Sequence, residues 1–113
     1  MSIKRWIRKN THSLEGKTVA VSGATGGLGT VLCEHLASLG ASLILLDRNM
    51  EKSKALASRL KFLIPTLSVR HIRVDLEDMD TVREVARQLE ASPPNYLILN
   101  AGAYSIPSPL YAV

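Results

Sequence analysis

No second cysteine accompanies Cys33, so an internal disulfide is excluded, and nothing around it stands at metal-ligand spacing. The histidines, His12, His35 and His71, are scattered, with no cysteine or acid placed to complete a metal site or a nucleophilic triad. No apolar run approaches the roughly 20 residues that span a bilayer. The basic N-terminus lacks the apolar segment that follows it in a secretory signal, which leaves a reducing cytoplasm as the expected location. A basic body is missing too. The formal charge of +4 resides wholly in residues 1–17, where Lys4, Arg5, Arg8, Lys9 and Lys17 oppose Glu15 alone. The remaining basic and acidic residues balance, so no nucleic-acid groove is expected. Beyond Arg87 there is no lysine or arginine at all.

What is present is a chain of 113 residues, 46% apolar and 21% charged, enough for the core of one domain at most. It is organised around Ser22-Gly23-Ala24-Thr25-Gly26-Gly27-Leu28-Gly29. This stretch lies between the apolar run Val19-Ala20-Val21 and a helically periodic segment beginning at Leu28. The order strand, glycine turn, helix aims several backbone N–H groups and the positive end of a helix dipole at one point, which favours a phosphate. Glycine suits it because a Cβ blocks a tight turn and holds a pyrophosphate off the backbone. The bland alternative is a glycine-rich turn that binds nothing.

Either side of this loop the pattern alternates strand and helix. Residues 1–15 place Ile3, Trp6 and Ile7 at helical spacing among basic residues. This is either a short amphipathic helix for an anionic surface or, preferred on length, a leader whose tryptophan packs on the domain. The first strand is expected at 18–22. The helix at 27–39 carries Leu28, Val31, Leu32, Leu36 and Leu39 on its inner face, with Cys33 buried, His35 on its flank and Gly40 ending it. Leu43 to Leu46 is apolar at every position, the mark of a strand buried on both faces of a parallel sheet. Asp47 and Arg48 follow it. A helix at 50–62, an edge strand at 68–74 carrying Arg70, His71 and Arg73, a helix at 79–89 with Val82, Val85, Ala86 and Leu89 inward, and a strand at 96–99 complete the series.

Asp47 lies 18 residues after Gly29, near the offset of about 20 at which a dinucleotide fold places the acid for the ribose 2′-hydroxyl. A carboxylate there repels a 2′-phosphate and an arginine attracts one. With Asp47 read as the ribose ligand and Arg48 as flanking the adenine, NAD is expected over NADP. The competing reading makes Asp47 an ordinary cap for the next helix.

Gly23-x-x-x-Gly27-x-Gly29 preceded by a hydroxyl residue resembles the T-G-x-x-x-G-x-G motif of the short-chain dehydrogenase/reductase family, with Ser22 in place of threonine. The run from Leu14 to Gly29 resembles that family's opening almost throughout. Gly26 makes the loop fit G-x-x-G-x-x-G as well, the spacing of the family's extended branch. Asn100-Ala101-Gly102 at the end of the last strand resembles the family's N-N-A-G, with Leu99 replacing the first asparagine, and favours the single-domain branch. The resemblance covers roughly residues 14–103. It implies cofactor contacts at Ser22, Gly23, Thr25, Gly26, Gly27, Leu28, Gly29, Asp47 and Arg48. It implies an adenine contact at Asp75 with help from the backbone of Leu76, although Asp75 also reads as a solvated acid opening the next helix. Asn100 would pin the central sheet, and small Ala101 and Gly102 would leave room for the cofactor.

The expected fold is therefore α/β, a Rossmann-like doubly wound parallel sheet in strand order 3-2-1-4 with right-handed crossovers, truncated after the fourth strand. The expected organisation is a basic leader over 1–15, an incomplete NAD(P)-binding domain over 16–103 and a proline-containing tail over 104–113. The family's chemistry uses a serine and a Tyr-x-x-x-Lys downstream of N-A-G, with the tyrosine as general acid or base. Here Tyr96, Tyr104 and Tyr111 have no lysine four positions on, and Ser105 and Ser108 read as loop residues. No catalytic residue and no metal ligand is assigned. The resemblance implies the cofactor-binding part of an oxidoreductase acting on a small alcohol or carbonyl, inactive alone, with homo-oligomers expected only of a longer parent. The alternative is a non-catalytic module that senses a dinucleotide.

Overall fold

The computed structural model describes residues 13–100. Seven elements alternate: β1 (Thr18–Ser22), α1 (Gly27–Ser38), β2 (Ser42–Asp47), α2 (Met50–Leu63), β3 (Val69–Arg73), α3 (Met79–Ala91) and β4 (Tyr96–Leu99). The strands form one sheet in the order β3-β2-β1-β4, all parallel, as the sequence pattern implies. Val19 pairs with Leu43 on one side and Tyr96 on the other. The chain thus runs outward from β1 to β3 and returns across the sheet to β4, leaving β1 at the reversal.

Because strand side chains alternate between faces, the uninterrupted apolar runs of β1 and β2 feed two cores. Val19, Val21, Leu43 and Leu45 pack with Cys33, Ala37, Leu56, Ala57 and Leu60. Ala20, Ile44 and Leu46 pack on the other face with Ile72 and Val85. Trimming Leu43 or Leu45 to alanine would remove about 2–5 kcal/mol.

The first helix departs from its expected inner face. Leu28 is 64% and Val31 42% exposed, while Gly29, Cys33 and Ala37 are buried. Small residues four apart let α1 lie close on the sheet, so of the expected inner face Leu36 still packs on the core while Leu28 and Val31 point outward. His35 is buried, not on the flank, and in α3 Val85 is buried whereas Ala86 is exposed. Burial raises the Cys33 thiol, with Glu34 adding to the effect, to about 12.

The ends of α1 explain how the chain turns. Gly40, at φ +97°, follows the helix; its amide donates to Ala37 and that of Ala41 donates to Leu36, a left-handed stop that suits glycine. Gly29 is constrained differently. A Cβ there would collide with the carbonyl oxygen of Gly23 and stand 3.0 Å from the backbone of Ala24. At the other edge, Asn95 accepts from the Thr18 amide at 2.8 Å and donates its own amide to the Thr18 carbonyl at 2.8 Å, setting β4 in register beside β1. Tyr96, Leu97 and Leu99 of β4 are 53%, 42% and 47% exposed.

Two outcomes follow from this packing. Gly29→Ala forces α1 off the loop and is expected to cost about 1–3 kcal/mol, read as a lower urea midpoint. The second concerns His71, whose Nδ1 shares a 2.7 Å hydrogen bond with the fully buried Ser53 hydroxyl. Burial, then Lys54 and Lys61, hold the His71 pKa below its ordinary value. The unfolded chain therefore takes up this proton first, so stability is full above about pH 6.5 and falls as the pH drops below it. His71→Gln should flatten that part of a stability–pH curve; an unchanged slope would assign it elsewhere.

Candidate functional site

The carboxyl ends of the four strands gather the residues singled out by the sequence. Ser22 ends β1, Asp47 ends β2, Asp75 and Leu76 follow β3, and Asn100 follows β4. The crevice beyond these ends, where a sheet reverses its strand order, is where open α/β folds bind ligands. Ala101 and Gly102 lie outside the described residues, as do the leader up to His12 and the tail with Tyr104, Ser105, Ser108 and Tyr111.

Gly23 turns the chain at φ +63°, in the left-handed region that glycine occupies freely. Its amide donates to the Leu46 carbonyl at 3.0 Å, which ties the loop to β2. Gly26 then opens α1 in extended conformation and gives it no side-chain cap, and its first turn holds no acid. By contrast Asn49 caps α2 through the Lys52 amide, and Asp78 caps α3 through the Asp80 amide. Asn49, not Asp47, is thus the cap of α2. The glycines of the loop differ in what surrounds them. A Cβ at Gly26 would make ordinary contact with the Gly23 carbonyl, and one at Gly27 would meet nothing within 4 Å. Leu28, next in the turn, points mostly into solvent.

Asp47 is 9% exposed and is tied back to the loop. Its Oδ2 accepts from the Thr25 amide at 3.0 Å and the Thr25 hydroxyl at 2.8 Å, and its Oδ1 accepts from the Asn49 amide at 3.0 Å. Burial pushes its pKa up, but the hydrogen bonds from Asn49, Thr25 and the Arg48 amide outweigh burial and hold the carboxyl below its usual range. Arg48 itself is exposed, and its guanidinium has no partner among the described residues. A cleft of about 380 Å³ opens beside Thr25, lined also by Thr30, Lys52, Ala55, Leu56 and Arg59. A larger hollow, about 540 Å³, lies at the far end of α1 around Leu39 and Gly40, away from these residues.

Polar ties also hold the other strand ends. The Ser22 hydroxyl accepts from the Asn100 amide at 2.9 Å, and the Asn100 side-chain amide reaches the Gly23 carbonyl at 3.4 Å. Asp75 accepts from the Glu77 amide at 3.0 Å, and its own amide donates to the Thr81 hydroxyl at 2.9 Å. Leu76 is half exposed. Sequence reasoning overlooked Thr81 and the Thr25–Asp47 bond; a hydroxyl two residues into a glycine loop was the only signal for the latter. Among the described residues no cluster of His, Cys, Asp and Glu is arranged to hold a metal, and no helix is long and apolar enough to cross a membrane.

This geometry has close counterparts. The pattern of the short chain dehydrogenase family matches residues 17–112. An uncharacterised oxidoreductase of Schizosaccharomyces pombe is 30% identical over 109 residues, covering 95% of this chain and 32% of the relative. The L-sorbose reductase of Gluconobacter frateurii, solved with NADPH and L-sorbose, superposes with a TM-score of 0.72 at 25% identity, covering 89% of this chain and 39% of that one. A Haemophilus structure described as a D-mannonate oxidoreductase with bound NAD superposes with a TM-score of 0.66 at 27% identity, covering 83% of this chain and 34% of that one. The chain spans about a third of the length of these proteins. With the family pattern running from the start of β1 through the last described residue, the chain belongs to the short chain dehydrogenase family.

Proposed function

We propose that this chain is the dinucleotide-binding part of an NAD(P)-dependent oxidoreductase that acts on a small alcohol or carbonyl compound. The observation that carries the reading is the start of α1. It has neither a capping side chain nor an acid in its first turn, and the position facing outward, Gly27, is a glycine that the chain's own packing does not require. A glycine kept where no protein atom is near is accounted for by a ligand that approaches the backbone, and the helix N-terminus specifies an anionic one. The dinucleotide's pyrophosphate fits both.

On this reading Ser22, Gly23, Thr25, Gly26, Gly27, Leu28 and Gly29 form the phosphate cradle. Asp47 and Arg48 stand at the adenosine ribose, Asp75 and Leu76 at the adenine. Asn100 holds the ends of β1 and β4 together, with Ala101 and Gly102 as the small residues next to the cofactor. The bound dinucleotide supplies the hydride acceptor or donor. The chain's own residues bind and orient it, and residues 1–113 contain no tyrosine with a lysine four positions on to handle the substrate's proton. The 113-residue chain by itself is accordingly expected to bind without turnover.

Gly27→Ala separates binding from folding. With open space around the new Cβ, the urea midpoint should hold or rise. Affinity for NADH or NADPH, followed by nicotinamide fluorescence, should fall by about tenfold or more, as for loss of a backbone–phosphate contact. Unchanged affinity in a stable variant would remove the pyrophosphate from this helix end.

A further inference from the structure

The end of α1 remote from the glycine loop carries the larger hollow, of about 540 Å³. Ala37, Leu39 and Ile64 give it an apolar lining, and Ser13, Glu15 and Ser38 supply its polar side chains. Glu15 is the one charged residue in that lining, and it forms no ion pair among the described residues. The last turn of α1 adds to this negative character. It is the negative end of a helix dipole, and no lysine or arginine stands in it as an offset. The chain enters the described structure at this same place. The Ser13 hydroxyl donates to the Leu39 carbonyl at 3.4 Å, and the Leu14 amide donates to the same oxygen at 2.9 Å. Residues 1–12 therefore lead away from a point already fastened to the hollow's edge. They hold Ile3, Trp6 and Ile7 at helical spacing among Lys4, Arg5, Arg8 and Lys9, and no acid precedes Glu15. An apolar surface with an unpaired acid meets, at the other end of a short tether, an apolar segment whose charges are all basic; the two are complementary in both respects.

We propose that the leader folds back on its own domain, with Trp6 seated on Ala37, Leu39 and Ile64 and the basic residues around it facing Glu15 and the C-terminal end of α1. The hollow is thus an intramolecular docking surface whose occupant is the segment 1–12. Trp6 stands seven positions before Ser13, a tether of roughly 25 Å at full extension, so reach is not limiting. So short a tether gives an effective concentration in the millimolar range, which populates contacts too weak to hold separate molecules together. A tryptophan suits the place because its ring supplies a large apolar contact while its N–H can meet a carbonyl at the helix end.

Trp6 is the sole tryptophan of the 113-residue chain, so its fluorescence reports this contact directly. In the native chain its emission should lie to the blue of the urea-unfolded chain, and acrylamide should quench it several-fold less. A nitroxide label on Ser38→Cys, at an exposed position of the lining, should quench Trp6 strongly. The same label on Ser92→Cys, after α3 on the other face of the sheet, should not. Cys33 does not compete for the label, being buried with its thiol raised to about 12. Glu15→Lys reverses the charge at an exposed position. It should move the emission to the red and raise acrylamide quenching while far-UV circular dichroism stays unchanged. Equal quenching of the native and unfolded chains would overturn the proposal. So would protection of Trp6 that the label on Ser38→Cys does not sense, which would put the ring elsewhere on the domain. Protection that arises only on adding phosphatidylserine vesicles would assign the leader to a membrane surface. Label quenching that fades on dilution would assign the hollow to the leader of a second copy. Either would overturn the intramolecular contact.

Discussion

The near-contact between Gly29 and the Gly23 carbonyl is the constraint on which the rest of this architecture depends. It brings the first turn of α1 against the end of β1 and fixes the direction in which the helix leaves the sheet. Gly29, Cys33 and Ala37 then continue the same close approach along the helix. With the helix pressed down, its N-terminus projects at the crevice between β1 and β4, where the strand order reverses. A longer side chain at Gly29 would lift the helix and lose both the packing and the aim.

The same close approach explains what the sequence made legible and what it did not. β1 and β2 are readable because strands buried in a parallel sheet are apolar at nearly every position; β4 is as apolar although it lies half exposed at the edge, and four strands alternating with helices leave few topologies. Leucine spacing alone does not give the inner face of α1. The closest contact is made by Gly29, Cys33 and Ala37, with Leu36 beside them, and helical periodicity gives glycine, cysteine and alanine too little weight to reveal it. β2 extends beyond its apolar centre to Ser42 and Asp47 because Ser42 pairs with Thr18 of β1 and Asp47 with Arg73 of β3.

Around the site, legibility divides along another line. Which residues stand at the strand ends followed from topology once the elements were placed. What those residues do to one another did not. Ser22 binds the Asn100 amide across 78 positions of sequence, and Thr25 binds Asp47 across 22. Both partners are short polar side chains whose spacing carries no periodic signal. Their effect is to close the carboxyl edge of the sheet with polar ties while the apolar cores close its faces, so the crevice keeps its form without relying on whatever occupies it.

Two glycines in one loop can be required for opposite reasons, and only the three-dimensional arrangement separates them. At Gly29 a Cβ meets backbone, so the requirement belongs to folding. At Gly27 it meets nothing, so folding makes no demand. The acids at the strand ends divide in the same way. Asp47 looks outward in sequence, at the offset where a ribose acid is sought, yet its hydrogen bonds run inward to Thr25 and Asn49. Asp75 keeps an oxygen beyond the one that accepts from Glu77. The sequence motif marks where such groups sit. The hydrogen bonds already made decide how much acceptor capacity is left for a ligand, and by that measure Asp47 has less to spare than its place in the motif implies.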